Sequence, residues 1–269
     1  MTEQELLVQK CSEVAKLWLT PAFDAKTQED VKQMLDSKDK TALVDAFYKN
    51  LEFGTGGLRG IMGAGTNRMN KYIVGMATQG FANYLKQAFS DKKEIAVVVG
   101  HDCRNNSRFF AETVADIFSA NDIKVYLFES LRPTPEISFA IRQLKAQGGV
   151  NITASHNPKE YNGYKAYWDD GAQVLSPHDT GIISEVNKVT IDQVKFQPNN
   201  DLIKIIGGEM DIDYLNAVHE ALIDQDVINR QKDLCIVYSP LHGTGRVVIP
   251  AALRTWGFQN INVVKEQMV

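Results

Sequence analysis

The run Thr153-Ala154-Ser155-His156-Asn157-Pro158, followed closely by Tyr161-Asn162-Gly163-Tyr164-Lys165, sets a hydroxyl nucleophile, an imidazole, a carboxamide and an amine in one short stretch. Small residues before Ser155 and a proline after Asn157 favour a tight, exposed loop in which the hydroxyl can meet a substrate. Lys165 is close enough in sequence to return to that loop from the following strand. A nucleophile with a cation nearby suits phosphoryl transfer, where charge spreads over several oxygens and the protein supplies positioning groups, cations and usually a divalent metal. Serine is a reasonable carrier, because a phosphate monoester hydrolyses extremely slowly in water.

A second segment, Phe53-Gly54-Thr55-Gly56-Gly57-Leu58-Arg59-Gly60, has the glycine content of a dinucleotide-binding turn. That reading fails, because no apolar strand precedes it and Arg59 stands where the fingerprint needs its third glycine. No segment ends in the Gly-Lys-Ser/Thr of a nucleotide-binding P-loop either. What remains is a flexible main chain beside a guanidinium, whose planar fork suits phosphate oxygens.

Two further loops carry polar groups. In Gly100-His101-Asp102-Cys103-Arg104-Asn105-Asn106-Ser107, the residues Asp102, Arg104 and Ser107 are expected to satisfy one another and cap the next helix rather than act on substrate. His101 has no companion at metal-ligand spacing. Tyr238-Ser239-Pro240-Leu241-His242-Gly243-Thr244-Gly245 follows a strand and leads into a helix, a place suited to an anion, with Ser239 and His242 as candidate contacts.

The elements that must position these loops alternate in type. Two or more helices occupy the first fifty residues, with Thr27 to Asp30 resembling a capping box. A helical period runs from Lys71 to Phe89, and the β-branched run Ile95 to Val99 predicts a buried strand. Helices are expected over 109–118, 135–144 and 177–189, with strands over 123–128, 149–153, 163–168 and 172–175. Such alternation predicts an α/β fold, a layered mixed sheet with crossover helices and an N-terminal helical extension, with ligands held at the carboxyl ends of strands. A polar stretch around Gln197 to Asn200 divides residues 1–200 from a second unit, 201–269. That unit is expected to hold a helix over 211–223, a strand over 234–238, a helix over 247–256 and a strand over 261–264. A single β-α-β unit exposes both faces of a small sheet, so the second unit reads as the incomplete start of a domain.

With these residues in place, the sequence resembles the α-D-phosphohexomutases, the phosphoglucomutase/phosphomannomutase family, most specifically over Phe53 to Trp168. The resemblance implies the layered domain type shared by the family's first three domains. It makes Ser155 the phosphorylated serine, with His156 and Asn157 shaping its loop. It also implies that Lys165 assists proton transfer or stabilises charge, that Arg59 approaches the phosphoserine, and that Thr55 and Gly56 bind phosphate. The implied reaction interconverts hexose 1-phosphate and hexose 6-phosphate through a hexose 1,6-bisphosphate, which also serves as activator. Mg2+ is implied at an oxygen of the Ser155 phosphate. The family's Asp-x-Asp-x-Asp-Arg metal loop does not occur before Val269, and Asp211-Ile212-Asp213 reads as a helix start instead. The chain is thus expected to be an N-terminal fragment, inactive alone. Phosphopentomutase, sugar-bisphosphate synthase and a noncatalytic anion-binding fragment are the alternatives. A serine hydrolase is disfavoured, since there is no Gly-x-Ser-x-Gly elbow and adjacent Ser155 and His156 are poorly placed as nucleophile and base.

Composition is that of a folded globular protein, and the resemblance implies small sugar phosphates as its partners. Hydrophobic residues make up 44% of the 269 residues, charged residues 23%, and the formal charge is −4. No basic footprint for nucleic acid is visible, and no apolar segment is long enough for a membrane span. The N-terminus lacks the features of a secretory signal, so a cytoplasmic location is expected. Cys11, Cys103 and Cys235 are odd in number and widely spaced, which fits reduced thiols. Oligomeric state has no signal in the sequence.

Overall fold

The computed structural model describes residues 2–54 and 56–268. In chain order the helices and strands are α1 (Glu3–Lys16), α2 (Ala25–Asp36), α3 (Thr41–Phe47), β1 (Gly57–Ile61), α4 (Lys71–Ala88), β2 (Ala96–His101), α5 (Ser107–Ala120), β3 (Lys124–Phe128) and α6 (Thr134–Gln143). They continue as β4 (Gly148–Ile152), β5 (Tyr161–Trp168), α7 (His178–Val186), β6 (Ile203–Ile206), α8 (Gly208–Glu220), α9 (Gln225–Arg230), β7 (Ile236–Tyr238), α10 (Val248–Trp256) and β8 (Ile261–Val263).

Six strands form one mixed sheet in the order β1-β5-β4-β2-β3-β6. The central trio β4, β2 and β3 is parallel, as crossover helices require; on one side β5 runs antiparallel to β4, and β1 pairs antiparallel with β5. All six residues of β2 are buried, because both faces of this strand are covered. Val97 and Val99 turn into the core under α4, α5 and α7, while Ala96 and Val98 face a second cluster with Ile137 and Ile141 of α6 and Met210 of α8. This is the three-layer α/β arrangement expected from the alternation of elements.

The N-terminal helices pack on the same core through Cys11, Ala15, Trp18, Val31, Leu43 and Phe47. Trp18 stacks on Phe23 with ring centroids 4.5 Å apart. The cap of α2 is Asp24 rather than Thr27: its carboxylate accepts from the Thr27 N–H at 2.9 Å, placing Thr27 inside the first turn. Asp24 also accepts from the Tyr72 hydroxyl at 2.8 Å and pairs with Lys71 at 3.1 Å, which fastens the helical extension to α4.

Some boundaries differ from those read in sequence. β6 lies beyond the division placed at residue 200, yet it pairs in parallel with β3 and belongs to the first sheet. Its sequence, Ile203-Lys204-Ile205-Ile206, is too short for a pattern of period two to stand out. β1 was not expected, since three glycines sit in or beside it; it is held by pairing with β5 rather than by propensity. The expected strand over 172–175 is a single bridge between Tyr167 and Gln173. The second unit has its own two-stranded parallel sheet, β7 with β8, and an added short helix, α9.

Candidate active site

The strand-to-loop junction after β4 builds the site. Pairing continues one residue past the strand, with the Thr153 N–H donating to the Gly163 carbonyl at 3.0 Å, and then the chain reverses. Thr153 Oγ1 accepts from the Ser155 N–H at 3.1 Å, and the Asn157 N–H donates to the Ala154 carbonyl at 3.1 Å. Ser155 itself adopts φ +58, the left-handed conformation that an ordinary residue keeps only when its surroundings enforce it. The result is an exposed hydroxyl at the carboxyl end of a parallel strand.

This backbone turn also corrects one expectation about His156. Its ring folds back, and Nδ1 lies 3.2 Å from Ser155 Oγ, so the two adjacent side chains do meet. A left-handed residue reverses the local chain direction, which brings neighbouring side chains to the same side of the loop.

Arg59 and Lys165 share a recess with Ser155 from strands β1 and β5. In the β1–β5 register Gly57 lies opposite Lys165 and Arg59 opposite Gly163, so Arg59 and Lys165 project from one face of the sheet. Arg59 Nη1 donates to Asn157 Oδ1 at 3.0 Å, tying the glycine-rich segment to the serine loop. Gly56, Arg59, Ser155, Lys165 and Gln173 line a recess of about 330 Å3. Gly56 has φ +83 and directs its carbonyl to the Ala166 N–H at 3.0 Å and the Gln173 amide at 3.3 Å, so it shapes the wall of this recess. Thr55 lies outside the described residues.

On its other side Ser155 opens into a larger cleft of about 660 Å3. Its walls include Arg104, Arg132, Asn151, Asn157, Lys159 and His242, the last contributed by the second unit. Ser239 is not among the lining residues; its hydroxyl accepts from the Leu241 N–H at 3.3 Å and serves the turn. Asp102, Arg104 and Ser107 satisfy one another as expected, with Ser107 Oγ donating to Asp102 Oδ1 at 2.6 Å and Arg104 Nε 3.3 Å from Asp102 Oδ2, but they do not cap α5, whose N-cap is Asn106 with no side-chain hydrogen bond. Lys159 carries no mark in the sequence that separates it from other polar loop residues, and Arg104 reads there only as a partner of Asp102 and Ser107. Asn151 is a polar residue in an otherwise apolar strand, and that oddity was the available signal.

Burial lowers the pKa of His101, whose Nδ1 meets the Asp102 carbonyl at 2.8 Å, so it is a structural residue behind the cleft. Burial pushes the Cys103 thiol up, away from thiolate chemistry. A divalent ion needs several oxygen ligands. Among the described residues no three His, Cys, Asp or Glu side chains converge, and Asp102, the carboxylate of the cleft wall, is engaged by Ser107 and Arg104. These side chains do not compose a magnesium site by themselves.

Residues 50–192 match the model of a family described as phosphoglucomutase/phosphomannomutase, alpha/beta/alpha domain I. The chain belongs to the phosphoglucomutase/phosphomannomutase family. Among curated relatives, a human phosphopentomutase is 36% identical over 261 residues, covering 93% of this chain and 42% of the relative. A phosphoglucomutase of Staphylococcus haemolyticus is 37% identical over 243 residues, covering 88% of this chain and 43% of the relative. The chain therefore spans less than half the length of the family members it matches. Among solved structures, Paramecium pp63/parafusin, a phosphoglucomutase in its open form, superposes with a TM-score of 0.60 at 20% identity. That match covers 80% of this chain and 43% of that one, and at such identity it speaks for the fold. Within this family fold, the exposed serine at the end of β4 sits where ligands gather in parallel sheets.

Proposed function

We propose that this chain supplies the phosphoserine half of a sugar-phosphate mutase, with Ser155 as the carrier. The observation that carries the reading is the position of Ser155 Oγ: exposed, 3.2 Å from His156 Nδ1, at the meeting of a large cleft and a cation-lined recess. In the resting form Ser155 bears a phosphoryl group. A hydroxyl of the bound monophosphate attacks phosphorus, the bond from phosphorus to Ser155 Oγ breaks, and Oγ retains the electron pair. The proton of the attacking hydroxyl is passed on to Oγ, which leaves as a neutral hydroxyl, with His156 or Lys165 as its carrier in this reading. Arg59 and Lys165 offset the charge on the equatorial oxygens. The sugar bisphosphate so formed turns over and returns its other phosphoryl group to Ser155. Phosphate has then moved between the 1 and 6 positions of a hexose.

Mg2+ and a hexose 1,6-bisphosphate activator belong to the same reading, with the ion's protein ligands drawn from outside the side chains described above. So does a cytoplasmic setting; no described helix is long and apolar enough to cross a membrane. A pentose phosphate is the second reading, favoured by the similarity to a protein named phosphopentomutase. The test is to assay the 269-residue chain, alone and within the longest polypeptide in which it is expressed, against glucose, mannose and ribose 1-phosphates. Preference for a hexose phosphate supports the first reading and preference for ribose 1-phosphate the second. Absence of turnover on all three by the longest form would contradict both.

A further inference from the structure

We propose that Arg104 is a positioning residue that holds Ser155 in its reactive backbone conformation by gripping the carbonyls of the serine loop. This rests on the reading of Ser155 as phosphoryl carrier. Arg104 lines the cleft beside Ser155, where a guanidinium would ordinarily be taken for a phosphate ligand. Its hydrogen bonds assign it a different task.

Arg104 Nη2 donates to the Ser155 carbonyl at 2.8 Å and the Asn157 carbonyl at 2.6 Å. Nη1 donates to the Pro158 carbonyl at 2.9 Å and the Tyr161 carbonyl at 3.2 Å. Nε faces Asp102 Oδ2 at 3.3 Å. A guanidinium has five N–H donors in a fixed fork; the four on Nη1 and Nη2 have carbonyl acceptors here, and Nε is turned toward Asp102 in an ion pair. No Nη donor is left for a phosphate oxygen, and Nε points away from one, to Asp102. The four carbonyls span the reversal from β4 to β5, so one planar group fixes the loop from the nucleophile to the start of the next strand.

The grip is braced from behind. Asp102 is buried and accepts from Ser107 Oγ and from the Arg104 N–H at 2.9 Å. Ser107 Oγ in turn accepts from Asn162 Nδ2 at 2.9 Å, and Asn162 Oδ1 accepts from the Gly163 N–H at 2.8 Å. The far end of the serine loop is thereby tied to the same acid that orients Arg104. Ser155 at φ +58 is the residue most in need of such a brace, because its backbone conformation is unfavourable in isolation. Lysine cannot replace this grip: it brings at most three donors from a single nitrogen, and they cannot reach four spread carbonyls.

The experiment compares wild type with Arg104→Ala, Arg104→Lys and Asp102→Asn. Amide exchange over residues 155–161 is the first readout, and transfer of phosphate to Ser155 from glucose 1,6-bisphosphate is the second. We expect exchange across the loop to speed tenfold or more in Arg104→Ala and Arg104→Lys, with β2 and β4 unchanged. Phosphorylation should slow by at least tenfold in both, with little change in its half-saturating concentration, and free guanidinium should partly restore Arg104→Ala. Asp102→Asn, which leaves Arg104 in place, should move both readouts in the same direction by less, and it serves as the test if the Arg104 variants do not fold. Unchanged loop exchange, full rate in Arg104→Lys, or a raised half-saturating concentration at unchanged rate would overturn the proposal. If wild-type Ser155 takes no phosphate, the carrier reading fails while the exchange measurement still judges the grip.

Discussion

Arg59 Nη1 and Asn157 Oδ1 meet at 3.0 Å although ninety-eight positions separate them in the chain, so strand β1 of the glycine-rich segment is fixed directly to the serine loop. Arg59 thus holds Asn157, and in the proposed mechanism it also presents charge to a phosphate on Ser155. Arg59→Ala should slow phosphorylation of Ser155 by about 100-fold or more, in the range found for removing one charge-stabilising donor. Because the side chain is exposed, the urea midpoint should move little, by less than about 1 kcal/mol in stability. A quenched-flow measurement of phosphate transfer, beside a urea melt, checks both.

The close approach of β1 to β5 depends on Gly57. Its φ is +138, and a Cβ there would lie 1.8 Å from the Tyr164 carbonyl oxygen. Gly57→Ala should destabilise the protein by roughly 3 kcal/mol or more, since backbone cannot yield as a flexible side chain does. Gly208, at the start of α8, has nothing within 4 Å of such a Cβ, and Gly208→Ala should be neutral or stabilising by up to about 1 kcal/mol. Urea denaturation of the two variants side by side tests the contrast.

Arg132 joins the two units of the chain. Its guanidinium, 1% exposed, donates to Asp211 Oδ1 at 2.6 Å and Oδ2 at 2.9 Å, so α8 is fastened to the loop before α6 by a bidentate ion pair. Removing one partner leaves a buried charge short of its acceptor. Asp211→Ala should cost about 3 kcal/mol and speed amide exchange in α8 more than in α5. Hydrogen exchange read by mass spectrometry would show it.

Glu136, buried beside Arg132, gives the protein a pH-dependent stability. Burial, reinforced by the Asp211 carboxylate and opposed by Arg132, pushes its pKa up from 4.5 to about 8. Below pH 4.5 the group is protonated in folded and unfolded chains alike. Between that value and about 8 the unfolded chain loses the proton and the folded one keeps it, so stability falls as pH rises, by up to about 1.4 kcal/mol per unit. Glu136→Gln should flatten this slope and be the more stable protein at pH 8. Thermal melts from pH 5 to 9 decide it, and parallel curves for the two proteins would contradict it.

The sequence made the central strands legible because β-branched runs such as Val97 to Val99 are buried on both faces and end at glycine or a polar loop. The serine loop was legible for a related reason, its residue types being unusual at the end of such a strand. β1 and β6 were not legible, because edge strands this short take their form from pairing with β5 and β3 rather than from their own residues. Arg104 illustrates the same limit in the site: its role lies in four main-chain carbonyls more than fifty residues away, and carbonyls leave no mark in a sequence. The approach of His156 to Ser155 was hidden likewise, since it follows from one left-handed residue.

The most direct test of the account is peptide mapping of the protein, in the longest form in which it is expressed, after incubation with glucose 1,6-bisphosphate and Mg2+, alongside Ser155→Ala. The account predicts one phosphate on the peptide containing Ser155 and none in the variant. An unmodified Ser155, or equal phosphate in wild type and Ser155→Ala, would contradict it.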